Sequence, residues 1–241
     1  MAALLELRDV AKSFGSVQAV RGVSLRLSEG EALGVVGPNG AGKTTVLNLI
    51  AGTTRTDRGQ ILFDGHDITR LGSHDRPRLG IARTFQIPRP FGGLTAYENV
   101  LVAYTYGRRR GARGTPREEC LPALETAGLL SRANDTAGSL TLLERKRLEL
   151  ARALVTKPRV LLLDEIAGGL TEPEVDELVE AVRGLRAAGV AIVWIEHILH
   201  ALVSMVDRLV ALTEGALLLE GTPAEVMGSP ILRDVYLGQE L

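Results

Sequence analysis

Cysteine is almost missing from this chain: among 241 residues there is one, Cys120. A single thiol excludes an internal disulfide framework and fits a reducing compartment. Also missing is any apolar run of about 18 residues, the length that crosses a bilayer. A membrane role is therefore expected to run through partners. The opening stretch "MAALLELRDVAKSF" carries Glu6, Arg8 and Asp9, too much charge too early for a secretory signal. An excess of basic charge is lacking as well. Lys and Arg number 28 against 29 Asp and Glu, a formal net charge of -1, which argues against nucleic acid as a partner. Internal repeats and low-complexity tracts are absent. The length suits one large domain, or a domain with a subdomain, able to bury a sizeable core.

What is present alternates between strand and helix patterns. Leu5 and Leu7 alternate with Glu6 and Arg8, a half-buried strand, and Val17 to Leu27 reads as a second with Val23, Leu25 and Leu27 on one face. After the turn "SEGE", the run "ALGVV" (32–36) is short and uninterrupted, as a strand covered on both faces is. "KTTVLNLIAG" has helical spacing, with Gly52 suited to its C-terminal end. "GQILFDG" predicts a strand entering a turn at Asp64-Gly65, and "IARTFQ" (81–86) another strand. Later, "RVLLLDE" and "VAIVWIEH" read as buried strands around an amphipathic helix, Pro173 to Ala188, in which Val175, Leu178, Val179, Val182 and Leu185 share a face before Gly189. "RLVAL" and "ALLLEG" form a hairpin around Glu214-Gly215, and Thr222-Pro223 and Ser229-Pro230 each open a short helix. Such alternation predicts a largely parallel α/β sheet.

Residues 87–158 differ in character. Thr95 and Glu98 have capping-box spacing, and Thr115, Pro116 and Glu118 mark another helix start, which Pro122 would strain. Leu140 to Val155 carries a long helix pattern with Leu143, Arg147, Leu150 and Leu154. The connector "GRRRGARG" (107–114) reads either as a solvated loop or as a contact for lipid headgroups. The segment is expected to be a helical insertion into the α/β core.

The chemistry concentrates in "GPNGAGKTT". Gly37-x4-Gly42-Lys43-Thr44, set between a strand and a helix, is the pattern of a phosphate-binding loop. Glycines let successive N–H groups converge on an anion, and the following helix aims its N-terminus at it. Lys43 is expected to reach the β- and γ-phosphates and to face solvent without nucleotide, and Thr44 to ligate Mg²⁺. Asp164 and Glu165 end an apolar strand. There, one carboxylate can hold Mg²⁺ through water and the other can position or deprotonate an attacking water. The competing reading is two acids at an exposed strand end. His197 follows the next strand, at the sheet edge where α/β folds bind ligands.

With these pieces in order, the chain resembles ATP-binding cassette (ABC) ATPases over nearly its full length. "GPNGAGKTT" looks like the family's Walker A, which brings Gly37, Pro38, Asn39, Gly40, Ala41, Gly42, Lys43, Thr44 and Thr45 to the nucleotide. Gln86 in "RTFQ" looks like the glutamine linking Mg²⁺ to the helical subdomain. "RVLLLDE" looks like Walker B with Glu165 as the catalytic glutamate, and "IEH" places His197 as the histidine on the γ-phosphate. Phe14 falls where the family stacks an aromatic on adenine; the competing reading is a core phenylalanine. "RTFQIPRPFGGLTAYENVLVA", "RKRLELARAL" and "EGTPAEVMGSPILRDVYLG" resemble the longer of the two ATPase subunits of branched-chain amino-acid importers. Importers of urea or aromatic acids and the ATPase of lipopolysaccharide export are similar. Two readings from outside transport compete with these: a regulatory cassette that uses ATP as a switch, and a P-loop kinase.

The resemblance implies a RecA-like P-loop NTPase core, about 1–86 and 159–241, with an antiparallel β arm and the helical subdomain inserted at about 87–158. It implies ATP as substrate and Mg²⁺ held by Thr44, Gln86 and, through water, Asp164. In the family two cassettes close head to tail, each capping the other's nucleotide with its signature motif. The implied partners are therefore a second ATPase subunit, as a heterodimer or a homodimer, two membrane permeases contacted beside Gln86, and indirectly a periplasmic or extracellular binding protein. The implied location is the cytoplasmic face of the plasma membrane, held there peripherally. Two departures stand out. The signature, normally a serine followed by two glycines and a glutamine, reads "LTLLE" (140–144), and the loop after Walker B reads Leu170-Thr171 where the family has leucine then aspartate or asparagine.

Overall fold

The computed structural model describes residues 3–107 and 114–237, so most of the basic connector, 108–113, lies outside the described residues. The chain opens with β1 (Leu5–Phe14), β2 (Val17–Leu27), β3 (Ala32–Val36), α1 (Lys43–Ile50), β4 (Arg58–Phe63) and the two-residue β5 (His66–Asp67). α2 (Arg76–Leu79) and β6 (Ile81–Arg83) precede three helices, α3 (Ala96–Gly107), α4 (Pro116–Thr126) and α5 (Leu142–Leu154). Then follow β7 (Val160–Asp164), α6 (Glu172–Ala187), β8 (Ala191–Ile195), α7 (Leu199–Val203), β9 (Arg208–Thr213), β10 (Ala216–Gly221), α8 (Pro223–Gly228) and α9 (Pro230–Leu237). Among the described residues no helix is long and apolar enough to cross a membrane.

These elements gather into two units. One takes the chain up to Ser73 and from Ala191 onward; the other is His74–Val190. The helical segment expected at 87–158 lies within the second, which also holds β6, β7 and α6.

In the first unit β3 runs between β8 and β9, parallel to both, and β10 pairs antiparallel with β9. All five residues of β3 and of β8 are buried, which is why both read as unbroken apolar runs. A second sheet is antiparallel throughout: β1 lies between β2 and β4, and β4 carries β5. It is the expected β arm, and Val23, Leu25 and Leu27 all face inward. Its β4–β5 turn has left-handed φ at Asp64 (52°) and Gly65 (75°), and the β9–β10 turn has the same at Glu214 (47°) and Gly215 (79°). Two consecutive positive φ values match the right-handed twist of the flanking strands.

In the second unit β6 and β7 pair in parallel. α3, α4 and α5 bury their own core, which includes Ala96, Val100, Cys120, Leu124, Leu148 and Ala151. The pKa of the Cys120 thiol, sealed in that core, is pushed up to about 11 by burial and by Glu119. On α6 the five residues of the predicted apolar face are all buried.

Five helices begin on threonine with glutamate three residues on. Glu98, Glu118, Glu144, Glu174 and Glu225 each accept the backbone N–H of their own Thr, 2.7 or 2.8 Å away. The fourth of these, Thr171, explains one departure from the family pattern: it starts α6.

Three expectations need correction. The strand expected over 81–86 stops at Arg83; Thr84 still donates its N–H to the Leu162 carbonyl at 3.0 Å, and the chain then turns away. α4 runs straight through Pro122, because the proline lies on the exposed face, where water can satisfy the carbonyl it leaves without a donor. The helix expected from Leu140 starts at Leu142, since Thr141 is taken up as its cap.

Candidate nucleotide site

The glycine loop is built by β3 and closed by α1. Val35 of β3 pairs with Ile195 of β8. Gly37 and His197 each lie two residues further on, so the loop and the histidine leave the sheet at the same carboxyl edge, where α/β sheets bind ligands. His197 is exposed, and its backbone N–H donates to the carboxylate of buried Glu196 at 3.0 Å. Nothing in the sequence distinguishes Glu196; only its burial marks it as the residue that steadies the histidine's backbone.

Two positions in the loop tolerate nothing larger than glycine. A Cβ on Gly37 (φ 146°) would lie 2.1 Å from the Leu212 carbonyl oxygen, and one on Gly42 (φ 94°) 2.3 Å from that of Ala19. The loop is thus pressed against β9 and β2 by backbone alone, which leaves its N–H groups to face the other way. α1 differs from the five Thr–Glu helices. It starts on Gly42, no side chain caps it, and its first turn holds no acidic residue. A helix start built this way suits an external anion, which would supply the negative charge that glutamate supplies elsewhere.

Lys43 corrects the sequence expectation. It is not turned to solvent: it is 6% exposed, and its Nζ donates to the carbonyl oxygens of Gly37 (2.7 Å) and Pro38 (2.9 Å). The loop's own carbonyls hold the ammonium at the cradle. Phe14, at the end of β1, is 52% exposed, with Lys12 Nζ 5.4 Å from its ring centroid. That exposure rules out the core reading and leaves a ring face available for stacking.

The second unit holds the carboxylates. Asp164 is the last residue of β7 and is buried at 3%; Glu165 follows with a left-handed φ of 48°. The Gln86 amide Nε2 donates to Glu165 Oε2. Asp164 Oδ2 accepts from Arg83 Nη2 at 2.8 Å, while its Oδ1 is buried without a hydrogen-bond partner. Gln86, Asp164 and Glu165 are therefore brought together in this unit. Gly37 to Thr45, Phe14 and His197 belong to the first. Arg83 stands inside "RTFQ" but carries no signal in the sequence, because its partner lies 81 positions away.

Among the described residues no group of three or more His, Cys, Asp or Glu could hold a metal ion alone. The donor set fits Mg²⁺ all the same. This ion keeps several waters and is commonly bound by one or two protein oxygens plus substrate phosphates, and the orphaned Asp164 Oδ1 is an acceptor suited to a metal-bound water.

A glycine cradle, an inward lysine and paired acids at a strand end define a phosphate-binding-loop nucleotide-binding protein. The chain belongs to the ABC transporter family, whose pattern matches residues 20–168, and is an ATPase cassette of that family. It is 38% identical to the high-affinity branched-chain amino acid transport ATP-binding protein BraF of Pseudomonas aeruginosa, over 98% of each chain. It is 37% identical to the lipopolysaccharide export system ATP-binding protein LptB of Acidithiobacillus ferridurans, over 100% of this chain and 99% of that protein. The solved ADP conformation of the cassette MJ1267 superposes with a TM-score of 0.90 at 28% identity, covering 99% of this chain and 100% of that one.

Proposed function

We propose that this chain hydrolyses ATP to energise an importer of branched-chain or related amino acids, on the cytoplasmic face of the membrane. The observation that carries the ATPase reading is the cradle: α1 without a side-chain cap, with Lys43 held inward over the loop. The 38% identity to BraF, over 98% of each chain, supports the solute class. Lipopolysaccharide export is the second reading, favoured by the LptB match.

In this reading Gly37 to Thr45 wrap the phosphates with backbone N–H groups and Phe14 stacks on the base. When bound, Mg²⁺ neutralises charge on the phosphates. Thr44, Gln86 and, through water, Asp164 would be the residues that hold it. Glu165 orients and polarises the attacking water, and His197 contacts the γ-phosphate. Catalysis is then positioning and electrostatics.

Lys43→Ala tests the binding step. Each charge-assisted hydrogen bond lost costs about 1.5–3 kcal/mol, so Mg-ATP affinity by isothermal titration should fall at least about tenfold. Circular dichroism should show an intact fold, because the hydrogen bonds removed hold loop carbonyls and belong to no strand ladder or helix. Unchanged affinity would sink the assignment.

We also propose that two permeases dock beside Gln86. The second unit has a cavity of about 350 Å³ walled by Phe85, the residue before Gln86, with Tyr106, Arg83 and Arg152, and Ile87 and Phe91 are exposed nearby in sequence. Gly93→Cys should crosslink to a permease. A Cβ at Gly93 meets nothing within 4 Å. Native Cys120 can stay, since its buried, raised thiol will not compete. No crosslink to either permease, with control positions reacting, would remove this face from the interface.

A further inference from the structure

Arg83 and Asp164 form an ion pair with side chains only 11% and 4% exposed. Burying a carboxylate is costly unless a counter-charge and hydrogen bonds accompany it. The sheet supplies both. Arg83 stands opposite Leu162 in the β6–β7 register, and Leu162 and Asp164 point to the same face of β7. The guanidinium has a ring beside it, and the backbone that follows Arg83 is fixed. The guanidinium lies 5.6 Å from the centroid of the Phe85 ring, and the Thr84 N–H pins the backbone beyond it to Leu162.

The pairing is one-sided. Arg83 Nη2 takes Oδ2, and Oδ1 is left buried with no hydrogen-bond partner. A carboxylate held by one oxygen cannot rotate freely about its Cβ–Cγ bond, so the other oxygen has a fixed direction. We infer that Arg83 is a positioning residue: it locks the Asp164 carboxylate so that Oδ1 keeps one fixed direction, as the acceptor that a Mg²⁺-bound water would use. This rests on the reading of Asp164 as the carboxylate serving Mg²⁺. It adds a cation placed behind the metal's acceptor, aimed at orientation rather than at the phosphates.

A structural ion pair and a positioning residue predict different data. The readout is binding of a fluorescent ATP analogue to the full chain, in EDTA and in Mg²⁺, so that each protein yields the factor by which Mg²⁺ tightens binding. Residues that orient a metal's ligands typically change metal affinity by about 10–100-fold when replaced. Arg83→Met should lower the Mg²⁺ factor by about tenfold or more while affinity in EDTA stays within about twofold. Arg83→Lys, which keeps the charge but not the planar donor, should recover part of the loss. If Arg83→Met fails to fold, Arg83→Gln is read by the same criterion. An unchanged Mg²⁺ factor overturns the inference, as does an equal loss in EDTA and Mg²⁺, the mark of a purely structural pair. Asp164→Asn separates the two levels. If it removes the Mg²⁺ factor and the Arg83 variants do not, the inference fails and the reading of Asp164 stands. If Asp164→Asn leaves the factor intact, both fall.

Discussion

Glu165→Gln should cut ATP turnover at least about 10²-fold while nucleotide binding stays within a few-fold of wild type. A general base contributes about 10²–10⁴-fold, and the amide keeps the shape of glutamate without its basicity or charge. The setting favours a clean result. Glu165 sits in left-handed backbone, which glutamine adopts at no greater cost than glutamate, and its contact with the Gln86 amide can be kept by an amide oxygen. Phosphate release by the reconstituted transporter measures turnover, and the variant should accumulate with ATP bound. Turnover within a few-fold of wild type would mean that Glu165 is not the base.

The second large effect concerns the partner's nucleotide. If the cassettes pair as the family resemblance implies, the start of α5 caps the nucleotide on the other subunit. Here that start is closed by its own residues. Thr141 Oγ1 accepts the Glu144 N–H at 3.3 Å, and Glu144 Oε2 accepts the Thr141 N–H at 2.8 Å. Leu142 is 42% exposed where the family has glycine, so a side chain stands where backbone should approach phosphate. The glutamate's charge is shared with its helix start and with Arg132, 3.6 Å away, which moderates its repulsion of a phosphate. Each charge-assisted hydrogen bond lost costs about 1.5–3 kcal/mol. Two of them slow hydrolysis at the partner's site by on the order of 10²-fold or more, if they act in the transition state. Under the same pairing, the nucleotide on this chain's own phosphate loop would be capped by the partner's motif, and its hydrolysis would proceed if that motif is intact. We therefore expect a heterodimer in which Glu165→Gln removes most turnover and the partner's equivalent change removes little. Equal losses from the two single mutants in one transporter would rule the asymmetry out.

How much can be read from sequence follows from how local the physics is. The phosphate loop, the Thr–Glu starts of α3 and α4 and the two tight turns are contiguous, and each is legible from residue types at fixed spacing. For Lys43 the spacing reveals the residue but not its direction, since it does not tell which carbonyls receive the ammonium. The end of β6 is hidden because Thr84 to Gln86 continue an extended-looking pattern, while the ladder that defines a strand needs a neighbour. Arg83 is invisible for a stronger reason: its meaning comes from β7, and only the folded sheet brings the two together. The division into units is non-local in the same way, because it depends on which distant segments bury surface together.

The uncapped first turn of α1 has a thermodynamic consequence. A helix whose terminal charge is completed by its ligand makes nucleotide concentration a stability variable. A ligand present at 100 times its dissociation constant adds about 2.7 kcal/mol to the native state, a large share of the roughly 5–15 kcal/mol that holds a typical domain together. Where the five Thr–Glu helices carry their closing carboxylate in the gene, this one would take its anion, a phosphate, from the adenylate pool. The resistance of the first unit to local opening would then rise and fall with the energy state of the cell.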